Sequence, residues 1–322
     1  MSSLTFFHPA SVDEAHALLA TSPMPVDSLT QRRIRSAENL TGYLTSGRRR
    51  PEWVWAVART DGAGQHGRPE VVGVVGAFGA HGVFLLDVFG MPDDPDVARA
   101  LVARVTDDAL AEHDPVEVCL FAPPGMTVQD AALAPVIEPL RDAGWRLLVE
   151  RRHYEFDPEP GLAAAERSGL VLERLRDADD PRLAACYREI MRDTLDVHDR
   201  ELVERLGFDA ACADSLSDMV GDQPVDRIHL ASDERGAVVG MVAAFVHPNG
   251  RGVLWFVGIA RDHRGHGYGR QLLAWQTRQL LADGATTLIA DTDNDNVPMA
   301  RAFADVGWPQ TETRIDMVHQ SR

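Results

Sequence analysis

Apolar positions along this chain fall into short runs that alternate with polar ones and longer runs with a helical repeat, and the order of these runs occurs twice. In the first half, "LTFFHP" reads as a strand and "SVDEAHALLA" as a helix, and "SLTQRRIRSAENLTGYL" reads as a second helix. Three apolar runs broken by Gly-rich turns follow, "WVWAVA", "VVGVVGAFG" and "VFLLDVF". "DPDVARALVARVTDDALAEH" predicts a long amphipathic helix, "VEVCLFAP" a strand, "APVIEPLRDAGW" a helix and "RLLVERRHYEF" a last strand.

The second half repeats the order. "LVLERLRDA" predicts a strand, and "DPRLAACYREIMRD" and "FDAACADSLSDMV" two helices. "RIHLASD", "AVVGMVAAFVHP" and "GVLWFVGIA" are three strands, and "GRQLLAWQTRQLLADG" is a helix. "TTLIADTD" is a strand, "VPMARAFADVGW" a helix and "TETRIDMVH" a final strand. Val72-Gly73 matches Val239-Gly240, Val88 matches Val257, and Gly144-Trp145 matches Gly307-Trp308, at offsets of roughly 165 residues. That is a domain-length duplication. "DPEPGLAAAERSG" reads as the joint, so the expected division is 1–156, a linker at 157–169, and 170–322.

Composition narrows the chemistry. A chain of 322 residues with 45% hydrophobic content is long enough for two cores, and its mean hydropathy is −0.18. A net charge of −17 argues against nucleic acid, whose backbone demands a basic face. It suits a neutral or cationic substrate, although a solvated acidic surface explains it equally well. The basic run Gln31 to Pro51 is expected to be a solvated helix and loop. All 32 basic residues are Arg, which closes Schiff-base and Lys-dependent nucleotide-loop chemistry. Cys119, Cys186 and Cys212 are too scattered for a disulfide framework or zinc site, so no metal and a cytoplasmic setting are expected. The start "MSSLTFFHPA" has no leader pattern. The most apolar stretch, Val71 to Gly90, breaks around Gly79-Ala80-His81-Gly82 and predicts a hairpin rather than a membrane span.

The densest candidate chemistry is "ARDHRGHGYGRQLLAW", Ala260 to Trp275. Gly265, Gly267 and Gly269 stand between a strand and a helix, so backbone N–H groups and the helix N-terminus can converge on a phosphate. Arg264 and Arg270 can add charge-assisted hydrogen bonds. A Walker-type loop is excluded by the missing Lys. The dinucleotide fingerprint fits only in part, with Arg270 where its third glycine belongs, although Asp291 follows roughly 20 residues on. A three-strand meander also precedes the loop, where that fingerprint wants a first strand–helix turn.

Arg264-Gly265-His266-Gly267-Tyr268-Gly269 resembles the R/Q-x-x-G-x-G/A pyrophosphate signature of the GCN5-related N-acetyltransferase (GNAT) superfamily. "DNVPMARAFADVGW" is similar to that family's later motif, with Asn296, Phe303, Gly307 and Trp308 in register and Met299 and Ala302 as departures. The resemblance covers residues 170–322 in element order. It implies an α+β fold of two tandem GNAT-like domains, each a mixed, mostly antiparallel sheet flanked by helices. It also implies acetyl-CoA, or another acyl-CoA, as co-substrate and direct attack by a small-molecule amine. Backbone groups at Val257, Gly258 and Ile259 would hold the pantetheine arm and polarise the thioester. Residues 264–270 would hold the pyrophosphate, and Asn296 and Phe303 would lie against the coenzyme. Gly258 is expected to form the bulge that opens the sheet. The family's fourth strand often carries an acid; "VLWFVGI" has none, so the proton acceptor is sought among Asp291, Asp293, His247 and His198, the last flanked by Asp196 and Asp199. Phe303 replaces a Tyr that often protonates the leaving thiolate, leaving Tyr268 or His266 as substitutes or the thiolate to depart unaided. In the first half the loop reads "PDDPDVARALV", and Asp93, Asp94 and Asp96 would repel a pyrophosphate. One coenzyme site per chain is therefore expected, with residues 1–156 a degenerate partner. The competing reading is a non-catalytic acyl-CoA-binding sensor. A monomer or homodimer without nucleic-acid or membrane partners completes the expectation.

Overall fold

A computed structural model describes residues 4–60, 69–80, 83–163, 168–222 and 224–319. In chain order the first half carries β1 (Leu4–Phe7), α1 (Val12–Thr21), α2 (Leu29–Ile34), α3 (Ala37–Thr45), β2 (Val54–Arg59), β3 (Glu70–Ala80), β4 (Val83–Gly90), α4 (Pro95–Glu112), β5 (Val116–Ala122), α5 (Ala134–Asp142) and β6 (Arg146–Phe156). The second carries β7 (Val171–Arg174), α6 (Pro181–Met191), α7 (Val197–Leu206), α8 (Phe208–Asp222), β8 (Ile228–Ser232), β9 (Val238–Val246), β10 (Arg251–Ile259), α9 (Tyr268–Ala282), β11 (Thr287–Asp293), α10 (Val297–Val306) and β12 (Glu312–His319). His81 and Gly82 of the expected hairpin turn, and 164–167 of the expected linker, lie outside the described residues. No described helix is long and apolar enough to cross a membrane.

Two details differ from the sequence pattern. The expected helix from Ser28 to Leu44 is two helices, because Ser36 leaves helical geometry and its hydroxyl caps α3 at Asn39. α7 was not among the expected helices; none of its residues is buried, and Asp196 caps it.

The chain divides into two compact units, Met1–Glu150 with Glu312–Arg322, and Arg151–Thr311. The expected division kept each half contiguous. The units instead exchange their last strands, so β12 completes the first unit and β6, from Arg151 onward, the second.

The first unit's strands run β1-β2-β3-β4-β5-β12, and all neighbours are antiparallel except β4 and β5. The second unit's run β7-β8-β9-β10-β11-β6, with β10 and β11 the parallel pair. Both are α+β sheets of the expected mixed, mostly antiparallel kind.

The duplication extends to single hydrogen bonds. Gly144 after α5 and Gly307 after α10 both take the left-handed conformation, at φ 92° and 93°. The next residue in each case is a buried Trp. Trp145 Nε1 donates to Thr106 Oγ1 at 2.8 Å, and Trp308 Nε1 donates to Thr277 Oγ1 at 3.0 Å. Thr106 sits on α4 and Thr277 on α9, the helix that follows the parallel-paired strand in each unit.

Each unit has its own cores. In the second, Leu272, Leu273 and Leu280 of α9 and Phe303 of α10 pack with Leu288, Ala290 and Tyr154 on one face of the sheet. Leu183, Tyr187 and Ile190 of α6 and Cys212 of α8 pack with Leu230 and Met241 on the other. In the first unit the basic run is not wholly solvated, contrary to expectation. Arg49 is 1% exposed and ion-paired to Asp87, and Arg35 is 7% exposed and donates to the carbonyls of Ser22, Pro23 and Phe89. Burial of such guanidiniums requires partners of this kind.

Candidate active site

The glycine loop lies between the end of β10 and the start of α9. Gly265 and Gly267 have φ of +81° and +76°, which only glycine adopts at little cost, and a Cβ at either would meet nothing within 4 Å. The loop is therefore shaped by backbone conformation and leaves open space above it. Gly267 is also the N-cap of α9, and no side chain caps that end. α1, α2, α3, α4, α6, α7 and α10 are all capped by a Ser, Asp or Asn side chain. Gly269 lies in the first turn of α9, and His266 stacks on Tyr268 with ring centroids 5.8 Å apart. Arg270 is exposed at this helix start.

Arg264 behaves differently from the expectation. Its guanidinium donates to the carbonyls of Ile259 (3.1 Å), Asp193 (2.9 Å) and Ile190 (2.6 Å). It clamps the loop to the end of α6.

Before the loop, β10 and β11 part. They pair only from Arg251–Thr287 to Val253–Ile289. Beyond that β10 follows β9 to Ile259, and β11 follows β6 to Asp293. The wedge between them is bordered by Val257, Gly258 and Ile259. The bulge lies at Trp255, between Leu254 and Phe256, and Gly258 pairs regularly with Met241. The expected bulge at Gly258 is corrected accordingly. A Cβ on Gly258 would stand 2.6 Å from Ile190 Cγ2, so this glycine allows α6 to approach the sheet.

The proposed proton acceptors separate. Asp293 is 3% exposed; its Oδ1 accepts from Arg151 Nε at 2.8 Å and its Oδ2 from the Val197 amide at 2.8 Å. It ties β11 to the start of α7, and burial pushes its carboxyl up. His198 accepts from Arg151 Nη2 at 2.6 Å through Nδ1 in the same network. His247 lies in the β9–β10 turn, at the opposite end of β10 from the glycine loop, its ring edge-on to Phe245. Asp291 is placed differently. It stands where β11 leaves β10, with a side chain 23% exposed, and accepts from His153 Nδ1 at 2.8 Å. His153, 3% exposed, sits between Asp291 and Glu155, and Arg251 pairs with Glu155 at 3.3 Å. The sequence offered no signal for His153 or Arg151, because nothing local assigns β6 to the second unit.

Asn296 caps α10 by accepting from the Met299 amide at 3.3 Å. Phe303 is 2% exposed and stacked on Tyr154 with centroids 4.2 Å apart. It is a core residue rather than the coenzyme contact expected of it.

Asp199, half-buried on α7, is pushed up to about 7 by burial and then by the neighbouring Asp196. In the unfolded chain it titrates near its ordinary ~4. Its stabilising protonated form is fully present below that value, and the contribution is lost as pH rises through about 7. Asp199→Asn is expected to raise the melting temperature at pH 8 by roughly 3 °C and to leave it unchanged near pH 4. Calorimetry at the two pH values checks this.

The first unit closes the equivalent positions. Asp94 caps α4, its carboxylate accepting from the Asp96 amide at 3.0 Å, and Pro95 begins the helix without an N–H. Its β4 bulge falls at Asp87, which Arg49 neutralises.

Residues 183–308 match the acetyltransferase (GNAT) family, so an acetyltransferase domain of that family lies within the second unit. A mycothiol acetyltransferase from Saccharopolyspora erythraea is 27% identical over 86 residues, which cover 27% of this chain and only 28% of that protein. A GCN5-related N-acetyltransferase from Sphaerobacter thermophilus superposes with a TM-score of 0.60 at 15% identity, over 98% of this chain and 95% of its own. A tandem GNAT protein from the clavulanic acid biosynthesis pathway superposes with a TM-score of 0.53 at 16% identity, over 99% and 98%. These two likenesses establish the tandem fold.

Proposed function

We propose that this chain, with its GNAT acetyltransferase domain at 183–308, is an acyl-CoA-dependent N-acyltransferase that acetylates a small-molecule amine. The observation that carries the reading is the uncapped start of α9, set directly beyond the wedge between β10 and β11. The residues fit the coenzyme. Open space over Gly265 and Gly267 admits a pyrophosphate to the first-turn amides, where the helix dipole favours negative charge. Acetyl-CoA supplies an acyl group activated as a thioester.

The chain's own groups then have separate tasks. Backbone amides of residues 265–270 hold the phosphates, the Arg264 amide being spent on the Arg261 carbonyl. Main-chain groups of Val257, Gly258 and Ile259 align the pantetheine arm, and an N–H there polarises the thioester carbonyl. The amine nitrogen forms the new C–N bond, the C–S bond breaks, and the coenzyme leaves as thiolate. Asp291 takes the proton lost by the amine, and His153 orients that carboxylate from behind.

Titration calorimetry is expected to show one acetyl-CoA site per chain, and two equal sites would sink the assignment of the first unit as silent. Asp291→Asn is expected to lower kcat at least ~100-fold, a typical general-base contribution, with acetyl-CoA affinity within twofold of the parent. A thiol-release assay measures it, and an unchanged kcat would remove Asp291 from this role. The second reading, a binding module without turnover, draws on Phe303, buried in the core where many family members carry a Tyr. Coenzyme binding with no thiol released for any amine would favour it.

A further inference from the structure

We infer that Trp255 is the acceptor-selecting residue, and that the acceptor is a cationic amine on an apolar body with no acidic group of its own. This rests on the acyltransferase reading above and goes on to the substrate class.

Trp255 is the extra residue of the β10 bulge. Leu254 before it and Val257 after it pack with the α9–α10 core, whereas Phe256 packs with the α6–α8 core. Strand alternation therefore directs Trp255 to the same side as Phe256, away from α9 and α10. Arg251, Glu155, His153 and Asp291 share that side, opposite Tyr154, Leu288 and Ala290. Trp255 stays 40% exposed and joins none of the core clusters. The indole thus stands uncovered where β10 and β11 diverge, where it is available to cover an apolar ligand.

The first unit shows the alternative. Its bulge residue, Asp87, is 5% exposed and Arg49 fills the space against it. One copy of the repeat thus plugs this position with an internal ion pair, and the other presents an aromatic face.

Charge selects the ligand. The indole face attracts ammonium groups and covers apolar surface. Asp291, on the same side, adds a partly exposed carboxylate. The nearby guanidiniums of Arg151 and Arg251 are already engaged with Asp293 and Glu155. An acceptor bearing its own carboxylate would meet repulsion from Asp291.

Phenethylamine and phenylalanine share one body and differ by a carboxylate, and glucosamine is an amine on a polar body. In the thiol-release assay with acetyl-CoA, phenethylamine is expected to exceed both in kcat/KM by at least 30-fold. Trp255→Ala is expected to raise its KM at least 10-fold with kcat within threefold, and Trp255→Phe to restore most of the loss. Acetyl-CoA affinity and melting temperature should stay at the parent values in both variants. A KM within twofold in Trp255→Ala, or phenylalanine or glucosamine turned over as well as phenethylamine, would overturn the inference. Should acetyl-CoA bind without any turnover, the acyltransferase reading falls. Calorimetry of phenethylamine on the coenzyme-saturated protein then decides this one separately: binding abolished in Trp255→Ala supports it, and no binding to the parent overturns it.

Discussion

Gly267→Asp is expected to yield a folded protein that binds acetyl-CoA at least 100-fold more weakly than the parent. The substitution puts a carboxylate at the start of α9, as Asp94 does at the start of α4. In α4 the Asp94 carboxylate accepts from the Asp96 amide and occupies the positive end of the helix. In α9 the same end has no side-chain cap. A carboxylate at Gly267 would place a negative charge beside the first-turn amides proposed to hold the pyrophosphate. Losing those charge-assisted bonds and adding like-charge repulsion amounts to about 3 kcal/mol, matching two decades of affinity. The backbone at φ +76° strains an Asp only modestly, since Asp tolerates the left-handed region better than most residues. Calorimetry with acetyl-CoA, beside a thermal melt to show that α9 is intact, checks the result. Retained affinity would mean that the helix start is not the phosphate site.

The segment 157–322, the expected linker together with the expected second domain, is expected not to fold cooperatively, whereas 146–311 should fold and bind acetyl-CoA. The shorter-starting piece lacks Arg151–Phe156, which pair with β11 from Asp293 to Leu288. Without them Asp293, 3% exposed, loses the guanidinium of Arg151. An unpaired buried carboxylate costs roughly 3–5 kcal/mol. Tyr154 and Phe156 also leave the cluster around Phe303 and Trp308, at about 2 kcal/mol each. The sum is comparable with the whole stability of an ordinary domain, about 5–15 kcal/mol. Circular-dichroism melts of the two segments distinguish the outcomes. A sharp transition in 157–322 would show that its own β12 can take the place of β6.

Much of this was legible in local pattern. Gly265 and Gly267 stand out because positive φ demands glycine, and they mark the loop without any knowledge of the fold. Gly144-Trp145 and Gly307-Trp308 reveal the duplication, since a helix end followed by a buried indole is built from neighbouring residues. The aspartates before α4 declare its capped start in the same way. Other features left no trace. α7 has only Val197, Leu202, Val203 and Leu206 as apolar positions and buries none of them, so its pattern does not stand out. Arg264 looks like a phosphate ligand in the motif, yet its guanidinium is held by carbonyls of α6, β10 and the segment after α6. Phe303 carries the family position but packs inward against Tyr154, which lies far away in the chain.

The sequence alone determined the repeated α+β order, the glycine loop of the second half and the side-chain-capped helix start of the first. Each depends on backbone conformation or charge within a few residues, where covalent neighbours supply all the physics. Tertiary structure alone decided which strand completes which sheet, and with it the pairing of His153 with Asp291 and of Arg151 with Asp293. A strand's hydrophobic alternation states that one face will be buried, but hydrogen bonding to a distant partner decides where. It also decided that the bulge falls at Trp255. A bulge is a mismatch between two strands, and no single strand encodes it.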